Sequence, residues 1–373
     1  MSSEHALKIG VIKFSSIGDV VLSTVVLDIL EQLDLPVEIS WLGSNPSLEL
    51  ISKSFPQVKT IQFDKNLSAA HYIKLLKNQD LIIDLQSNLR SRFITNGLRM
   101  RYQIPIKTYN KNIYARRKLV LASYLFGRKR QLALASTKAP SLQFQNMAGC
   151  LIDALQPFLS RMQSGLLTKI DFTPKLKQVA SGQEEPWRND LKIGTWIAIA
   201  PGASYENKQP PKSLFVRILH ELRKLHGDSK SINLLFVGDS KDQKTAEILI
   251  DRLDWQGLVL NLCGKLSLWE SAMAVESTAC VLTSDSSMSH IGEALNVPAC
   301  VLFGPTVEGF GFSPHLPDSR AFSVGIGCRP CSLHGKKPCR YQDRLCFDQI
   351  SEQSVAEHMI TLITRKRSNE APA

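Results

Sequence analysis

The sequence has no uninterrupted apolar run near the roughly 18 to 20 residues that a membrane-spanning helix needs. The nearest approach, "VVLSTVVLDIL", is short and broken by polar residues. The start, "MSSEHALKIG", carries Glu4 and has neither the basic nor the apolar region of a secretory leader, so a cytoplasmic protein is expected. Several catalytic signatures are missing. No Asp-x-Asp occurs, so the metal clamp of many nucleotide-sugar enzymes is lacking. "CGKLS" has neither the upstream glycine of a P-loop nor a Ser or Thr directly after Lys265. "GASYE" places Glu206 where a nucleophile elbow needs its second glycine. There is no His-Glu-x-x-His, and "GFGF" and "GIGC" lack the third glycine of a dinucleotide fingerprint. Simple NTPase, serine hydrolase, metalloprotease and standard dehydrogenase readings all weaken.

Acid is also lacking where base is abundant. The chain of 373 residues has 45 Lys and Arg against 34 Asp and Glu. From Leu85 to Cys150 there are thirteen basic residues and no acidic one, so the positive excess lies in one segment of the first half. With 43% apolar and 21% charged residues the chain has ample material for packed cores. Its length suggests two domains.

Short β-rich runs alternate with longer helical patterns, the rhythm of parallel sheets built from βαβ units. The strand candidates are "KIGVIKF", "VEISWLG", "VKTIQF" and "LIIDLQ", then "WIAIAPG", "INLLFVG", "LVLNLCG", "ACVLTSD" and "ACVLFG". Between the two sets, "KLKQVASGQEEPWRNDLK" loses apolar periodicity and gathers Gly, Pro and charge. The expected fold is α/β with two Rossmann-like domains: residues 1–180, residues 181–349, and a C-terminal helix and tail over 350–373.

Four stretches carry chemistry. In "IKFSSIGDVV" a strand ends at a Ser-Ser-Ile-Gly-Asp turn, so Ser15, Ser16, Gly18 and Asp19 sit at the carboxyl end of a strand, where α/β sheets bind ligands. Asp19 is a candidate general base; the alternative is a helix cap. In "IAIAPGASYENKQPP", Ser204 and Lys208 follow another strand, and the lysine suits a departing phosphate or is a solvated loop residue. In "SDSSMSHIGEALNVPACVLFGPT", a strand delivers Asp285, then Ser286, Ser287, Met288, Ser289 and His290 open a helix, and the next strand ends in Gly304, Pro305 and Thr306. Small hydroxyl residues with free N–H groups at a helix start suit a pyrophosphate. The fourth, "CRPCSLHGKKPCRYQDRLC", spaces Cys328, Cys331, Cys339 and Cys346 for zinc or a redox pair, with His334 as a further ligand; a structural site or local disulfide is favoured over a catalytic metal. Cys150, Cys263, Cys280 and Cys300 read as small buried apolar residues.

Together, "SSIGDVV", "DLQSNLRSR", "APGASYENKQPP", "SDSSMSHIGEAL…VLFGPT" and the cysteine stretch resemble glycosyltransferase family 9, the ADP-heptose:lipopolysaccharide heptosyltransferases. The resemblance implies a GT-B fold, two Rossmann-like domains facing each other across a cleft, with acceptor on the N-terminal side and nucleotide sugar on the C-terminal side. It also implies an inverting transfer without a catalytic metal or other cofactor, from ADP-heptose to a Kdo or heptose hydroxyl of the inner core. Asp19 then matches the general base and Lys208 the lysine on the donor phosphates. Ser204, Asp242, Leu266, Asp285 to His290 and Gly304 to Thr306 fall on the donor side, Asp242 and Leu266 at ribose and adenine. Ser15, Ser16, Gly18, Gln86, Arg90, Arg116 and Arg117 fall on the acceptor side. Family members commonly have Thr-Gly where Ser286-Ser287 stands, and an aromatic where Gln209 stands.

In that light the basic segment is expected to address lipopolysaccharide core and lipid A at the anionic inner face of the inner membrane, with "NIYARRKLVLASYLFGRKR" as a membrane-touching helix. The rival readings are a transferase of the same fold with another nucleotide-sugar donor, and a nucleic-acid-binding protein. The latter is disfavoured because the segment has few interleaved aromatics and no nucleic-acid motif, so no nucleic-acid partner is expected.

Overall fold

The computed structural model describes residues 6–33, 35–127, 142–159, 169–177, 186–227 and 231–370. They form two compact units, one from the described residues between 6 and 111 and between 142 and 177, the other from those between 112 and 127 and between 186 and 370.

The first unit holds a five-stranded parallel sheet: β1 (Leu7–Ile12), β2 (Val37–Gly43), β3 (Lys59–Gln62), β4 (Leu81–Asp84) and β5 (Ile106–Thr108), in the order β3-β2-β1-β4-β5. In register, Ile9 of β1 stands beside Ile39 of β2 and Leu81 of β4. The chain steps outward from β1 to β3, then returns to the other side of β1, so the sheet has its topological switch between β1 and β4. The segment "DVVLSTVVLDILEQL" is two helices, α1 (Ile17–Ser23) and α2 (Val25–Gln32), not one. At the break the Ser23 and Thr24 hydroxyls donate back to the Val20 and Val21 carbonyls at 2.7 and 2.8 Å, the side-chain competition that bends helices. After them come α3 (Ser47–Ser54), α4 (Ala69–Leu76), α5 (Leu89–Tyr102) and α7 (Gln143–Leu155); α6 (Ile113–Phe126), which lies between α5 and α7 in sequence, belongs to the second unit.

The second unit opens with α8 (Pro186–Leu191) and builds a six-stranded parallel sheet. Its strands are β6 (Thr195–Ala200), β7 (Ile232–Phe236), β8 (Val259–Asn261), β9 (Cys280–Ser284), β10 (Ala299–Leu302) and β11 (Arg320–Phe322). The order β11-β10-β9-β6-β7-β8 is the Rossmann arrangement, with the switch between β6 and β9. The central strand β6, "TWIAIA", is buried at every residue, as a strand covered on both faces must be. Between the strands run α9 (Lys212–His226), α10 (Gln243–Leu253), α11 (Leu268–Glu276) and α12 (Ser287–Ala294), and α13 (Leu345–Asp348) and α14 (Glu352–Glu370) follow the sheet. Helix α9 buries Leu214, Phe215, Ile218, Leu219 and Leu222, one stripe at helical spacing, and carries Arg223, Lys224 and His226 in its last turn, where cations offset the helix dipole.

The residues Val355, Ala356, Met359, Leu362 and Ile363 of α14 lie in the same buried cluster as Leu214 and Phe215 of α9. Removing the fully buried Met359 side chain by Met359→Ala should therefore cost about 2–5 kcal/mol in urea denaturation, where a detached helix would show nearly none. Helix α6 also groups with the second unit, not with the first half of the chain. It is held there by residues of the cysteine-bearing stretch. The Ser123 hydroxyl donates to the Pro330 carbonyl at 2.6 Å and Arg340 donates to the Ser123 carbonyl at 3.0 Å. Lys337 and Arg340 lie over the Tyr124 ring at 4.7 and 4.5 Å.

Candidate functional site

In the first unit, the loops after β1 and β4 meet at the switch point. Gln86, buried, offers its side-chain oxygen to the N–H groups of Phe14 at 2.9 Å and Ser15 at 3.3 Å. Asp84 holds the other loop: its carboxylate accepts the N–H groups of Gln86 and Ser87 at 3.0 and 2.8 Å and the Ser91 hydroxyl at 2.8 Å. Burial pushes the Asp84 carboxyl above its ordinary value despite these bonds. Asp84 is thus a buttress, and Gln86 fixes the path of the Ser15–Ser16 turn.

That turn opens α1, where Ser16 is the N-cap and Asp19 accepts its hydroxyl at 2.8 Å and its N–H at 3.3 Å. The capping alternative for Asp19 is therefore real, but it leaves the carboxylate with 27% of its side chain exposed. Lys13, wholly buried at the end of β1, places its ammonium 3.8 Å from Asp19 Oδ1 and 3.4 Å from the Leu85 carbonyl. Burial works to raise the Asp19 pKa, but Lys13, the Ser16 hydroxyl, Lys111 and the Ser16 N–H outweigh it and hold the carboxyl below its ordinary value. Asp19 is an ionised, partly accessible carboxylate at neutral pH, able to accept a proton. Gly18 is buried beneath it, and Ser15, Ser16 and Arg90 are exposed.

In the second unit, Lys208 ends a single turn, Glu206–Lys208, after β6, and its ammonium lies 2.7 Å from Asp285 Oδ2, just after β9. This pair spans the switch point of the second sheet. The Thr306 hydroxyl, from the loop after β10, donates to the same Asp285 oxygen at 2.6 Å. Ser286 caps α12, its hydroxyl accepting the Met288 N–H at 3.3 Å, and Ser289 donates to the Ser286 carbonyl at 2.8 Å. Ser287 stands half-buried at the first position of that helix, Met288 is buried beneath it, and Gly304 and Pro305 are buried in the loop that carries Thr306. The end of β9 is fastened to the loop after β6 by Thr283 on the Ala200 carbonyl at 3.1 Å and Ser284 on the Gly202 carbonyl at 3.2 Å. Ser204 is exposed in that loop.

Asp242 lies at the next strand end. Its carboxylate fills the space beside two glycines: a Cβ on Gly202 would come within 2.2 Å of it, and one on Gly238 within 2.5 Å. Burial, then the neighbouring charge of Asp239, raise the Asp242 pKa. Leu266 is half-buried in the turn after β8. The residues expected on the donor side thus stand at the carboxyl ends of five neighbouring strands, β8, β7, β6, β9 and β10.

The remaining expectations fare differently. His290 is buried, with its ring centroid 6.2 Å from that of Phe312, and Arg116 lies over Phe312 at 4.9 Å. Arg116 and Arg117 belong to α6, so they stand in the second unit and not with the other residues expected on the acceptor side, which lie in the first. Arg128, Lys129, Arg130 and Lys138 of the basic segment lie outside the described residues. All eight cysteines are thiols, and among the described residues no group of three or more His, Cys, Asp or Glu could hold a metal ion. The expected site at Cys328, Cys331, Cys339 and Cys346 is therefore not assembled. Burial pushes the Cys331 and Cys346 thiols up to about 11 and about 12. His334 is exposed.

Residues 69–342, more than half of the chain, match glycosyltransferase family 9 (heptosyltransferase). The chain belongs to that family. It is 24% identical over 309 residues to lipopolysaccharide heptosyltransferase 1 of Campylobacter coli, covering 80% of this chain and 84% of that protein. Among solved structures, E. coli ADP-heptose lps heptosyltransferase II superposes with a TM-score of 0.66 at 17% identity, covering 97% of this chain and all 100% of that one. The dodecameric iron-containing heptosyltransferase TibC, solved with ADP-D-beta-D-heptose, gives 0.53 at 12% identity, covering 97% of this chain and 77% of that one. This family 9 chain is therefore a glycosyltransferase, built from the two parallel-sheet Rossmann-like units of the GT-B heptosyltransferase structures.

Proposed function

We propose that this family 9 enzyme transfers a heptose from ADP-heptose to a Kdo or heptose hydroxyl of the lipopolysaccharide inner core, with inversion and without a catalytic metal. Asp19 takes the proton of the acceptor hydroxyl as its oxygen bonds to the anomeric carbon. The bond from that carbon to the diphosphate breaks, and its electron pair leaves with ADP. Lys208 and the N–H groups at the start of α12 neutralise the departing charge, as a metal does elsewhere. Asp242 and Leu266 serve ribose and adenine. Ser15, Ser16 and Arg90 face the acceptor.

The observation that carries this reading is the position of both groups: Asp19 and Lys208 each follow the first strand of a Rossmann sheet at its switch point, where such sheets bind ligands. An anionic glycolipid acceptor also suits α5. That helix exposes Leu89, Phe93 and Met100 at 74%, 67% and 83%, beside exposed Arg90, Arg92, Arg99 and Arg101 and with no acidic residue. Near an anionic surface each such cation is worth on the order of 1 kcal/mol. We place the enzyme in the cytoplasm, peripheral on the inner face of the inner membrane.

Incubation with ADP-heptose and a Kdo-terminated acceptor should release ADP and add one heptose by mass. Turnover only with another nucleotide sugar would favour the rival donor, which Ser287 in place of the family's glycine makes worth including in the panel. Exhaustive chelation should leave the rate unchanged; a rate that collapses and returns with added metal would overturn the metal-free mechanism.

A further inference from the structure

We propose that the cysteine-bearing segment 328–346 is a brace for Lys208, with Arg344 as the positioning residue. The proposal rests on reading Lys208 as the cation for the donor phosphates. A lysine is a long, rotamer-rich side chain, and the turn that carries this one is poorly suited to aim it. Among the described residues, two backbone bonds close that turn, Lys208 N–H to the Tyr205 carbonyl at 2.9 Å and Gln209 N–H to the Glu206 carbonyl at 3.0 Å. Pro210 and Pro211 follow and bring no N–H.

The missing support comes from more than a hundred residues away. Arg344 donates through one guanidinium nitrogen to the carbonyls on both sides of Lys208, that of Asn207 at 3.3 Å and that of Gln209 in a closer contact. Asn207 in turn donates its side-chain amide to the Lys337 carbonyl at 2.8 Å. Gly335 lies along the aliphatic stem of Lys208: a Cβ there would stand 2.3 Å from Cγ and 2.8 Å from Cδ, and its φ of +68° also favours glycine. The same segment supports the other half of the ion pair. Arg329, buried, donates to the Thr306 carbonyl at 2.7 Å, and the Thr306 hydroxyl holds Asp285. Arg344 is itself seated over the Phe347 ring at 5.1 Å, and that ring occupies the space where a Gly304 side chain would be. The turn and stem of Lys208 thus meet this segment directly, and its counter-ion meets it through Thr306. This gives the segment a task that needs neither a metal nor a disulfide.

The test compares Arg344→Met, Arg344→Lys and Lys208→Ala with the double variant Arg344→Met/Lys208→Ala. Arg344→Met should lower kcat/KM for the donor by about tenfold or more while the acceptor KM and the denaturation midpoint stay near wild type, because misplacing a catalytic group by about 1 Å can cost up to about 10²-fold. Arg344→Lys, which keeps charge but not the planar fork, should recover part of the loss. In the Lys208→Ala background Arg344→Met should add less than about twofold, since it acts through a side chain already gone. Equal losses in both backgrounds would overturn the brace. A second measurement is independent of activity: the rate at which a lysine-directed acylating reagent modifies Lys208 in the ligand-free protein, read by peptide mass spectrometry. It should rise severalfold in Arg344→Met. An unchanged rate overturns the brace, whereas a silent Lys208→Ala with a raised acylation rate keeps the brace and removes Lys208 from the phosphate role.

Discussion

Asp19→Asn should lower kcat by about 10²- to 10⁴-fold, the span lost with a general base, while leaving donor KM near wild type, with some loss of stability because the buried Lys13 ammonium loses the Asp19 counter-charge. Asparagine is still the informative substitution because it separates the base from the cap. The Asp19 carboxylate caps α1 through Ser16, and asparagine keeps an oxygen for the Ser16 hydroxyl and N–H. Alanine would lose the cap as well, at about 1 kcal/mol, and confuse the two roles. The pH dependence follows from the direction of the shift. A carboxyl held below its ordinary value contributes stability above its unfolded pKa and loses it as pH falls through the folded one, so Asp19 stays ionised across the neutral and mildly acid range. The kcat/KM profile of the wild type should then show no acid limb from Asp19 between about pH 5 and about pH 8. Near wild-type turnover in Asp19→Asn would leave Asp19 as a cap alone and move the base elsewhere.

The strand ends that carry Asp19, Lys208 and Asp285 were legible in the sequence because each follows a largely apolar strand with small, polar, turn-forming residues. The residues that set their electrostatics and geometry were not. Lys13 stands within "KIGVIKF", where a charged residue at the end of a buried strand is a visible anomaly, but its partners Asp19 and Leu85 are defined only once β1 lies beside β4. Arg329 and Arg344 look like any arginine in a basic, cysteine-rich loop; their function comes from carbonyls 23 and 137 residues away. Strands β5 and β11, three residues each, are too short to show a period. The assignment of α6 failed for a related reason. A charge count along the chain sees its basic residues as continuous with α5, whereas its partners are Pro330, Lys337 and Arg340, which draw it into the second unit.

Lys208→Ala should lower kcat/KM for the donor by about 10²- to 10³-fold, the scale of removing one preorganised donor from a developing oxyanion, equivalent to about 2.7–4 kcal/mol. Two effects combine. The departing diphosphate loses a cation, and Asp285, paired with that cation at 2.7 Å, keeps only the Thr306 hydroxyl on that oxygen and stands as an anion facing an anionic substrate. The second effect acts on bound ADP as strongly as on the transition state, so the inhibition constant of ADP should rise with the donor KM, while that of adenosine, which has no phosphate, should not move. Lys208→Arg separates the two: it restores a charge for Asp285 but brings a wider head than the stem channel beside Gly335 was shaped to aim, so it should recover ADP binding more than kcat. Unchanged donor kinetics in Lys208→Ala would leave Lys208 as the structural partner of Asp285 alone, and the charge on the leaving ADP would then fall to the N–H groups that open α12.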